Sequence, residues 1–326
     1  MIKDASIPGG ECPELVGRRT HCTPLRSGGV EPTSPPVDAS RSSGHPVGVG
    51  AEGVEDDLAL ARELADAAAA VTMAAFGGRQ QVQLKPDATP VTEVDAAAEL
   101  AIREVLARRR PADGVRGEEG GYAPGTSGRV WVVDPIDGTR MFAEGVPLWT
   151  TLIALRVGED VGGTILVGVA DAPALGERYH AARGAGAWCN DRAIEVSAVN
   201  RLDESFVLHA ALEEFGRPAG TGVEALHRVV GGARASRGIG DGWAHLLVAR
   251  GAAEALVEQG PCFEWDWAAT SVIVEEAGGQ VTRLEGGPPV DGGHLLVTNG
   301  HIDAEVRAAL AIDPDSHIAP NSSPGA

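Results

Sequence analysis

The segment Val130-Trp131-Val132-Val133-Asp134-Pro135-Ile136-Asp137-Gly138-Thr139 joins a short apolar run to two closely spaced acids. The apolar run predicts a buried strand, and the Asp-Pro step predicts that the strand ends there, because proline cannot donate to a sheet ladder. Asp134, Asp137 and the Ile136 carbonyl can then point towards one place. Two anions held so close repel unless a cation lies between them. The segment therefore predicts a divalent metal site, with a solvated surface turn as the alternative.

Gly138 and Thr139 follow the second acid directly. A glycine turn with free backbone amides can bind a phosphate oxygen.

Composition limits the possible partners of the chain. At 326 residues it can bury the core of one large or two modest domains. Its net charge of −19 argues against a nucleic-acid partner held through phosphate contacts. The acidic balance is compatible with bound metals or a cationic ligand, and it is also an ordinary aid to solubility.

The compartment is predicted from cysteines and apolar runs. Cys12, Cys22, Cys189 and Cys262 form no CxxC pair, so neither structural zinc nor a disulfide scaffold is expected. The sequence contains no apolar run of membrane-spanning length and no signal-peptide region. We therefore predict a cytoplasmic protein without a membrane partner.

Four segments are predicted along the chain. Residues 1–53 are rich in Gly, Pro, Ser and Thr without periodicity, which predicts a disordered N-terminal extension; a wrongly assigned upstream start codon is an alternative origin. Residues 54–199 form an N-terminal α+β half, residues 200–312 alternate strand and helix in a C-terminal α/β half, and residues 313–326 form a flexible tail.

Hydrophobic periodicity predicts the elements within the two halves. The predicted helices cover residues 54–76, 95–109, 223–230, 242–250, 263–276 and 302–311. The predicted strands after the opening segment cover residues 150–157, 164–171, 178–182, 205–209, 234–236, 255–258, 280–284 and 295–299.

Three further acids stand in informative contexts. Asp95 starts the second helix, where an N-cap role is the ordinary explanation. Glu118 is the first of a Glu pair flanked by glycines that allow close backbone approach. Asp266 lies in the first turn of a helix between two tryptophans, although the helix dipole alone could explain an acid there.

Oxygen donors dominate this set of candidate ligands. Glu118, Asp134, Asp137 and Asp266 offer carboxylates without a histidine or cysteine among them, which favours magnesium or manganese over zinc. Several acids that share metals suit a two-metal site for phosphoester hydrolysis.

Four motifs in series carry a family resemblance. They are Asp87-x-Thr89-Pro90-Val91-Thr92-x-x-Asp95, Gly117-Glu118-Glu119, Asp134-Pro135-Ile136-Asp137-Gly138-Thr139 and Trp265-Asp266-x-Ala268-Ala269. From about residue 54 to residue 311 the chain resembles the magnesium-dependent, lithium-sensitive phosphatases typified by inositol monophosphatase. The resemblance implies a layered α-β-α-β-α sandwich of the inositol monophosphatase and fructose-1,6-bisphosphatase type, and a homodimer.

The resemblance also implies roles for individual residues. Glu118 and Asp134, helped by the Ile136 carbonyl, would bind one metal, and Asp134, Asp137 and Asp266 a second. Two or three magnesium ions are expected, with manganese as an alternative. Glu118, Asp95 and Thr139 make up the implied catalytic set, in which Asp95 and Thr139 hold and help to deprotonate the attacking water. The amides of Gly138 and Thr139 would bind phosphate. The family pattern selects Glu118, since the sequence itself does not separate it from Glu119.

Further details resemble the histidinol-phosphate phosphatase branch. They are Lys85-Pro86-Asp87-Ala88-Thr89-Pro90-Val91, Arg140-Met141-Phe142, Gly240-Asp241 and the Gly292-Gly293 segment. The resemblance implies hydrolysis of histidinol phosphate, a small phosphorylated metabolite of histidine synthesis. The alternatives are inositol monophosphate, fructose 1,6-bisphosphate or 3′-phosphoadenosine 5′-phosphate as substrate, or a binding protein that has lost catalysis.

Substrate contacts are predicted at Arg140, Asp241 and Glu258, with Asp241 or Glu258 meeting the substrate amine. The histidines, including His180, His245 and His294, are predicted to be packed or solvated and not catalytic, because a metal mechanism needs none.

Overall fold

Two helices open the described part of the chain. The computed structural model describes residues 51–78, 82–84, 90–158, 163–215 and 222–311. Apolar residues at helical spacing form α1 (Ala51–Ala75), a short ribbon of β1 (Gln83–Leu84) and β2 (Pro90–Val91) follows, and α2 (Glu93–Arg109) comes next. The two helices predicted for this region are confirmed.

Thr92, and not Asp95, is the N-cap residue of α2. Thr92 Oγ1 accepts from the Val94 amide at 3.2 Å. Asp95 is the third helical residue, and its Oδ2 accepts from the Thr92 amide at 2.9 Å and the Thr92 hydroxyl at 2.6 Å. This capping box corrects the N-cap interpretation of Asp95. It fixes one Asp95 oxygen at the helix start and leaves the other to point elsewhere.

The first sheet has eight strands and draws on residues 114–194. In chain order they are β3 (Gly114–Gly117), β4 (Gly121–Ala123), β5 (Arg129–Asp137), β6 (Thr150–Val157), β7 (Thr164–Ala172), β8 (Glu177–Ala182), β9 (Ala187–Cys189) and β10 (Arg192–Ile194), with α3 (Thr139–Ala143) between β5 and β6. The spatial order is β10-β9-β8-β7-β6-β5-β3-β4, and the β3–β5 pair is parallel. The predicted meander at residues 150–182 is confirmed.

The central strand β5 does not end at Asp134-Pro135, so that prediction was wrong. It continues to Asp137, with a register shift against β6 between Asp134 and Asp137. Pro135 lies in this irregularity, where the missing donor breaks no regular ladder bond. Its carbonyl accepts from the Thr151 hydroxyl at 2.8 Å. The register shift changes the direction of the strand end that carries Asp134 and Asp137.

The second sheet has five strands and draws on residues 206–298. They are β11 (Phe206–His209), β12 (Ala235–Gly238), β13 (Ala255–Cys262), β14 (Gln280–Arg283) and β15 (Gly293–Thr298), in the spatial order β12-β11-β13-β15-β14. The helices of this half are α4 (Leu212–Phe215), α5 (Val223–Gly232), α6 (Asp241–Ala249), α7 (Glu264–Glu276) and α8 (Asp303–Leu310).

The apolar cores define five layers. One core joins α1 and α2 to the first sheet, a second joins both sheets to α6 and α7, and a third joins the second sheet to α5 and α8. Each helix and sheet thus buries an apolar face against its neighbour. The predicted α-β-α-β-α sandwich is confirmed.

A buried ion pair connects the first sheet to the middle helix layer. Arg156 of β6 and Glu264 of α7 are almost fully buried, and Arg156 Nε lies 3.2 Å from Glu264 Oε1. Arg116 of β3 lies 3.5 Å from the other Glu264 oxygen. The first turn of α7, which carries Asp266, is therefore anchored to the first sheet.

The predicted segment boundaries are tested only in part. Residues 1–50 and 312–326 lie outside the described residues, so the predicted N-terminal extension and C-terminal tail stay predictions. Residues 51–53, which were assigned to the extension, belong to α1. The predicted division after residue 199 falls between the strands of the two sheets and stays a prediction. None of the helices in the described ranges is long and apolar enough to cross a membrane.

Candidate active site

Three predicted metal ligands meet at the irregular end of β5. Asp134 and Asp137 come from β5, and Asp266 comes from the first turn of α7. Each offers one carboxylate oxygen, and these oxygens lie within 4.8 Å of one another. Because a strand end and a helix start contribute together, the spacing of the three atoms depends on the packing of α7 against the first sheet.

Backbone and hydroxyl donors orient each of the three carboxylates. The Ile136 amide donates to Asp134 Oδ1 at 3.0 Å, and the Phe263 amide donates to Asp266 Oδ2 at 2.6 Å. Asp137 Oδ2 accepts from the Thr150 hydroxyl at 2.9 Å and from the Gly242 amide at 2.7 Å. In each case these bonds go to one oxygen of the carboxylate, and they hold the side chain in one orientation.

Burial and mutual repulsion make this cluster unfavourable without a cation. Burial raises the pKa of Asp134, and the charges of Glu118, Asp137 and Asp266 raise it further. Burial also raises the pKa of Asp137, with Asp241 and Asp266 adding to it, and the pKa of Asp266, with Glu118 adding to it. A divalent cation removes this repulsion, and an all-carboxylate donor set fits magnesium or manganese. The residues present therefore fit the metal that the family resemblance implies.

Glu118 belongs to the same acidic neighbourhood. Its charge raises the pKa of both Asp134 and Asp266. Its amide donates to the Val133 carbonyl at 3.2 Å, which continues the parallel β3–β5 pairing by one residue. The following residue, Glu119, instead gives its amide to Glu99.

Glu99 is a supporting residue that the sequence analysis missed. This buried α2 side chain accepts from the amides of Glu119 and Gly120 at 2.8 and 2.9 Å, and from Arg103 Nε at 2.7 Å. A Cβ atom at Gly117 would lie 2.2 Å from Glu99 Oε1. The glycines around Glu118 therefore make room for the carboxylate that holds the turn. The available sequence signal was a glutamate at a position on the apolar face of the predicted helix.

Replacing Glu99 is expected to weaken metal binding without removing a ligand. Glu99→Gln keeps the volume but leaves one oxygen for two backbone donors, so the turn that carries Glu118 should loosen. We expect the apparent magnesium affinity to fall by about 10-fold, the lower end for partners that orient metal ligands. Magnesium titration by calorimetry, with exposed Glu104→Gln as the control, checks this. Equal affinities in the two variants would contradict the positioning role.

Asp95 and Thr139, the two residues predicted to activate the water, contact each other beside the acids. Thr139 Oγ1 lies 3.2 Å from Asp95 Oδ1 and 3.1 Å from the Ile136 carbonyl, and it can donate to either. Burial raises the pKa of Asp95, against the opposing effect of hydrogen bonds from Thr92 and Thr139. A buried carboxylate with a raised pKa that contacts a hydroxyl is suited to accept a proton.

Gly138 shapes the turn that precedes α3. Its φ of 86° is left-handed, a conformation that glycine adopts without a steric penalty. A Cβ atom there would lie 3.3 Å from Asp241 Oδ2, so the Asp241 carboxylate lies beside the predicted phosphate-binding turn. The predicted phosphate and substrate residues are thus adjacent.

The predicted substrate residues Asp241 and Glu258 lie together. The Asp241 amide donates to Glu258 Oε1 at 3.0 Å. Burial and then the Glu258 charge raise the pKa of Asp241 to about 6, against the opposing charges of His245 and Arg140. The Arg140 charge lowers the pKa of Asp241, but the exposed Arg140 guanidinium pairs with Glu213, with Nη1 3.2 Å from Oε1.

Comparisons with known proteins agree with this fold and site. The profile of the Inositol monophosphatase family matches residues 54–314. A histidinol-phosphatase of Streptomyces coelicolor is 43% identical over 78% of this chain and 97% of its own length, and that of Mycobacterium tuberculosis is 42% identical over 78% and 98%. An inositol-1-monophosphatase of Rhizobium meliloti is 37% identical over 71% and 86%.

A solved structure shows the same architecture. The extragenic suppressor protein SuhB of Bartonella henselae superposes with a TM-score of 0.72 at 31% identity, covering 78% of this chain and 98% of SuhB. The fold and the acidic site define a phosphoric monoester hydrolase. The chain belongs to the inositol monophosphatase family.

Proposed function

We propose that this protein is a magnesium-dependent histidinol-phosphatase, which hydrolyses histidinol phosphate to histidinol and phosphate. The identities of 43% and 42% to histidinol-phosphatases over nearly their whole length, against 37% to an inositol-1-monophosphatase, support this substrate. The observation that carries the proposal is the position of the Asp241 carboxylate beside the Gly138 turn. A substrate whose phosphate binds that turn would have an anion next to it that can pair with an amine.

The acids divide into two sets of ligands in this proposal. Glu118, Asp134 and the Ile136 carbonyl would hold one magnesium ion, and Asp134, Asp137 and Asp266 would hold a second. A third ion and manganese are compatible with the same donors. Bound divalent ions lower the pKa of a water molecule and neutralise charge on the leaving oxygen.

The protein groups bind the phosphate and move one proton. The Gly138 and Thr139 amides would donate to phosphate oxygens. The attacking water would give its proton to Thr139 Oγ1 as the Thr139 hydroxyl proton passes to Asp95 Oδ1, so Asp95 ends the step protonated. The contact between Thr139 and Asp95 and the raised pKa of Asp95 support this direction.

Asp241 and Glu258 would bind the substrate amine. Because its pKa is about 6, Asp241 is ionised at and above neutral pH and can pair with an ammonium group. Arg140 would lie at the outer edge of this pocket, released from Glu213 if it contacts substrate.

A substrate comparison tests the proposal. With magnesium, we expect kcat/KM for histidinol phosphate to exceed that for inositol 1-phosphate, fructose 1,6-bisphosphate and 3′-phosphoadenosine 5′-phosphate by at least about 10-fold. That ratio corresponds to one charge-assisted hydrogen bond to the amine. Comparable rates on several substrates would favour a generalist phosphatase instead. Phosphate release from none of them would favour the non-catalytic binding protein.

Two accompanying predictions concern assembly and compartment. The family resemblance supports a homodimer, which light scattering can test.

Cys189 and Cys262 are free and buried, which is compatible with the reducing cytoplasm predicted from the cysteine pattern.

A further inference from the structure

His245 of α6 is buried between two polar partners. Its Nε2 lies 2.7 Å from Glu258 Oε2, and its Nδ1 lies 2.7 Å from Thr270 Oγ1. Only 1% of the residue is exposed. His245 therefore acts on any bound molecule through its neighbours and not by direct contact.

The hydrogen-bond directions around His245 follow from its partners. The Thr270 hydroxyl lies 3.2 Å from the Trp267 carbonyl, which can only accept, so this hydroxyl donates there. We assign Thr270 Oγ1 as the acceptor from His245 Nδ1–H, the tautomer that is consistent with this bond. With Nδ1 protonated, the ring is fixed and its Nε2 faces the Glu258 carboxyl group, with a proton between them.

Glu258 connects His245 to Asp241 through hydrogen bonds to both residues. While one Glu258 oxygen contacts His245, the other accepts from the Asp241 amide at 3.0 Å. Asp241 has a φ of 59°, a left-handed conformation that is costly for a residue with a side chain unless its surroundings hold it. The same residue brings its carboxylate next to Gly138. The orientation of the Asp241 carboxylate thus depends on Glu258, and that of Glu258 on His245.

We propose that His245 is a positioning residue for substrate selectivity: it fixes Glu258, and through Glu258 the backbone of Asp241, so that both carboxylates face the cationic group of a phosphorylated amine. This inference rests on the proposed function. Neither His245 nor Glu258 gives an orienting bond to the three clustered aspartates, whose bonds come from Ile136, Thr150, Gly242 and Phe263. The Gly242 amide, which follows Asp241, is the backbone link between the two ends of the site.

The test compares His245→Leu and His245→Gln with the wild-type enzyme. KM and kcat for histidinol phosphate are measured with saturating magnesium, together with the inhibition constant of inorganic phosphate, which has no amine. We expect His245→Leu to raise KM by about 10-fold, the effect of a misplaced charge-assisted contact. The phosphate inhibition constant and kcat should stay within about 3-fold of wild type. His245→Gln keeps a donor towards Glu258 and should recover at least half of the change in log KM.

Two controls separate positioning from a loss of packing. His180→Leu removes another buried histidine, one that contacts Arg62 at 2.5 Å, and should leave the ratio of KM to the phosphate inhibition constant unchanged. Adding His245→Leu to Glu258→Gln should raise KM little further, because the residue that His245 positions is already altered. If His245→Leu fails to fold, His245→Ala, which also removes the contact with Glu258, and its combination with Glu258→Gln carry the test.

The outcomes distinguish the two proposals. The role of His245 alone is overturned if the wild-type enzyme hydrolyses histidinol phosphate but the ratio of KM to the phosphate inhibition constant changes by less than about 3-fold in every His245 variant. A wild-type enzyme that does not hydrolyse histidinol phosphate overturns the proposed function, and the selectivity role with it.

Discussion

Asp137→Asn is expected to lower kcat/KM for histidinol phosphate by at least about 100-fold, because it removes the charge of a proposed metal ligand, a contribution of several kcal/mol. The same change is expected to stabilise the metal-free protein. The asparagine oxygen can still accept from Thr150 and Gly242, while the repulsion with Asp266 and Asp241 is lost. Phosphate release and thermal unfolding after EDTA treatment measure the two effects.

The stabilising effect depends on pH in a defined direction. The pKa of Asp137 in the folded metal-free protein lies well above its ordinary value of 3.8. The folded state therefore favours the protonated form of Asp137. The contribution of this group to the stability of the metal-free protein is fully present below about pH 3.8 and is lost as pH rises through the raised pKa. At pH 8 we expect Asp137→Asn to raise the melting temperature by about 3–8 °C, equivalent to about 2 kcal/mol.

A matched surface variant provides the control for this prediction. Asp191 is exposed, so Asp191→Asn should change neither turnover nor the pH dependence of unfolding. Turnover close to wild type in Asp137→Asn would contradict the metal assignment. A lower melting temperature for the metal-free variant at pH 8 would contradict the repulsion inferred for the cluster.

Asp95→Asn is expected to lower kcat by about 100-fold or more, the usual contribution of a positioned general base, while magnesium affinity stays nearly unchanged. The amide cannot take up the proton that Thr139 relays. Its oxygen can still accept from the Thr92 amide, so the capping box should weaken by only about 1 kcal/mol. Single-turnover kinetics at saturating magnesium isolate this effect from metal binding.

Thr139→Val tests whether the two residues act as a unit. It should also lower kcat strongly, and the double variant should be scarcely worse than the poorer single variant, because one proton path is lost once. Thr126→Val, at an exposed threonine, should leave kcat unchanged. Additive losses in the double variant, or a loss confined to magnesium affinity, would contradict the relay.

The sequence predicts the layers better than the local backbone at the site. Periodicity located the six longest helices and most of the strands, because long apolar faces must be buried in each layer, but it missed the short helices α3 and α4. It failed at Pro135, since the sequence does not tell a strand end from an irregular position inside a strand. Position in the helix alone also favoured an N-cap role for Asp95, because Asp is acceptable both at the N-cap position and at the third helical position that Asp95 occupies.

The site could be predicted as a set of acids but not as a geometry. Glu118, Asp134, Asp137 and Asp266 stand in recognisable motifs, so the donor set was available from the sequence. The partners that orient them come from distant segments, as with the Gly242 amide, which is 105 residues from Asp137. Glu99 was overlooked although it falls on the apolar face of its predicted helix. His245 was predicted only to be packed or solvated, because a histidine has no distinctive local pattern for a positioning role until tertiary contacts form.

The central claim is that this acidic cluster holds the magnesium used to hydrolyse histidinol phosphate. The most direct measurement is phosphate release from histidinol phosphate by EDTA-stripped protein as magnesium is restored, with Asp137→Asn measured in parallel. We expect wild-type activity to be absent without metal and to return in full with magnesium, while the variant stays at least about 100-fold lower. Release that is independent of magnesium, or equal in the two proteins, would contradict the claim.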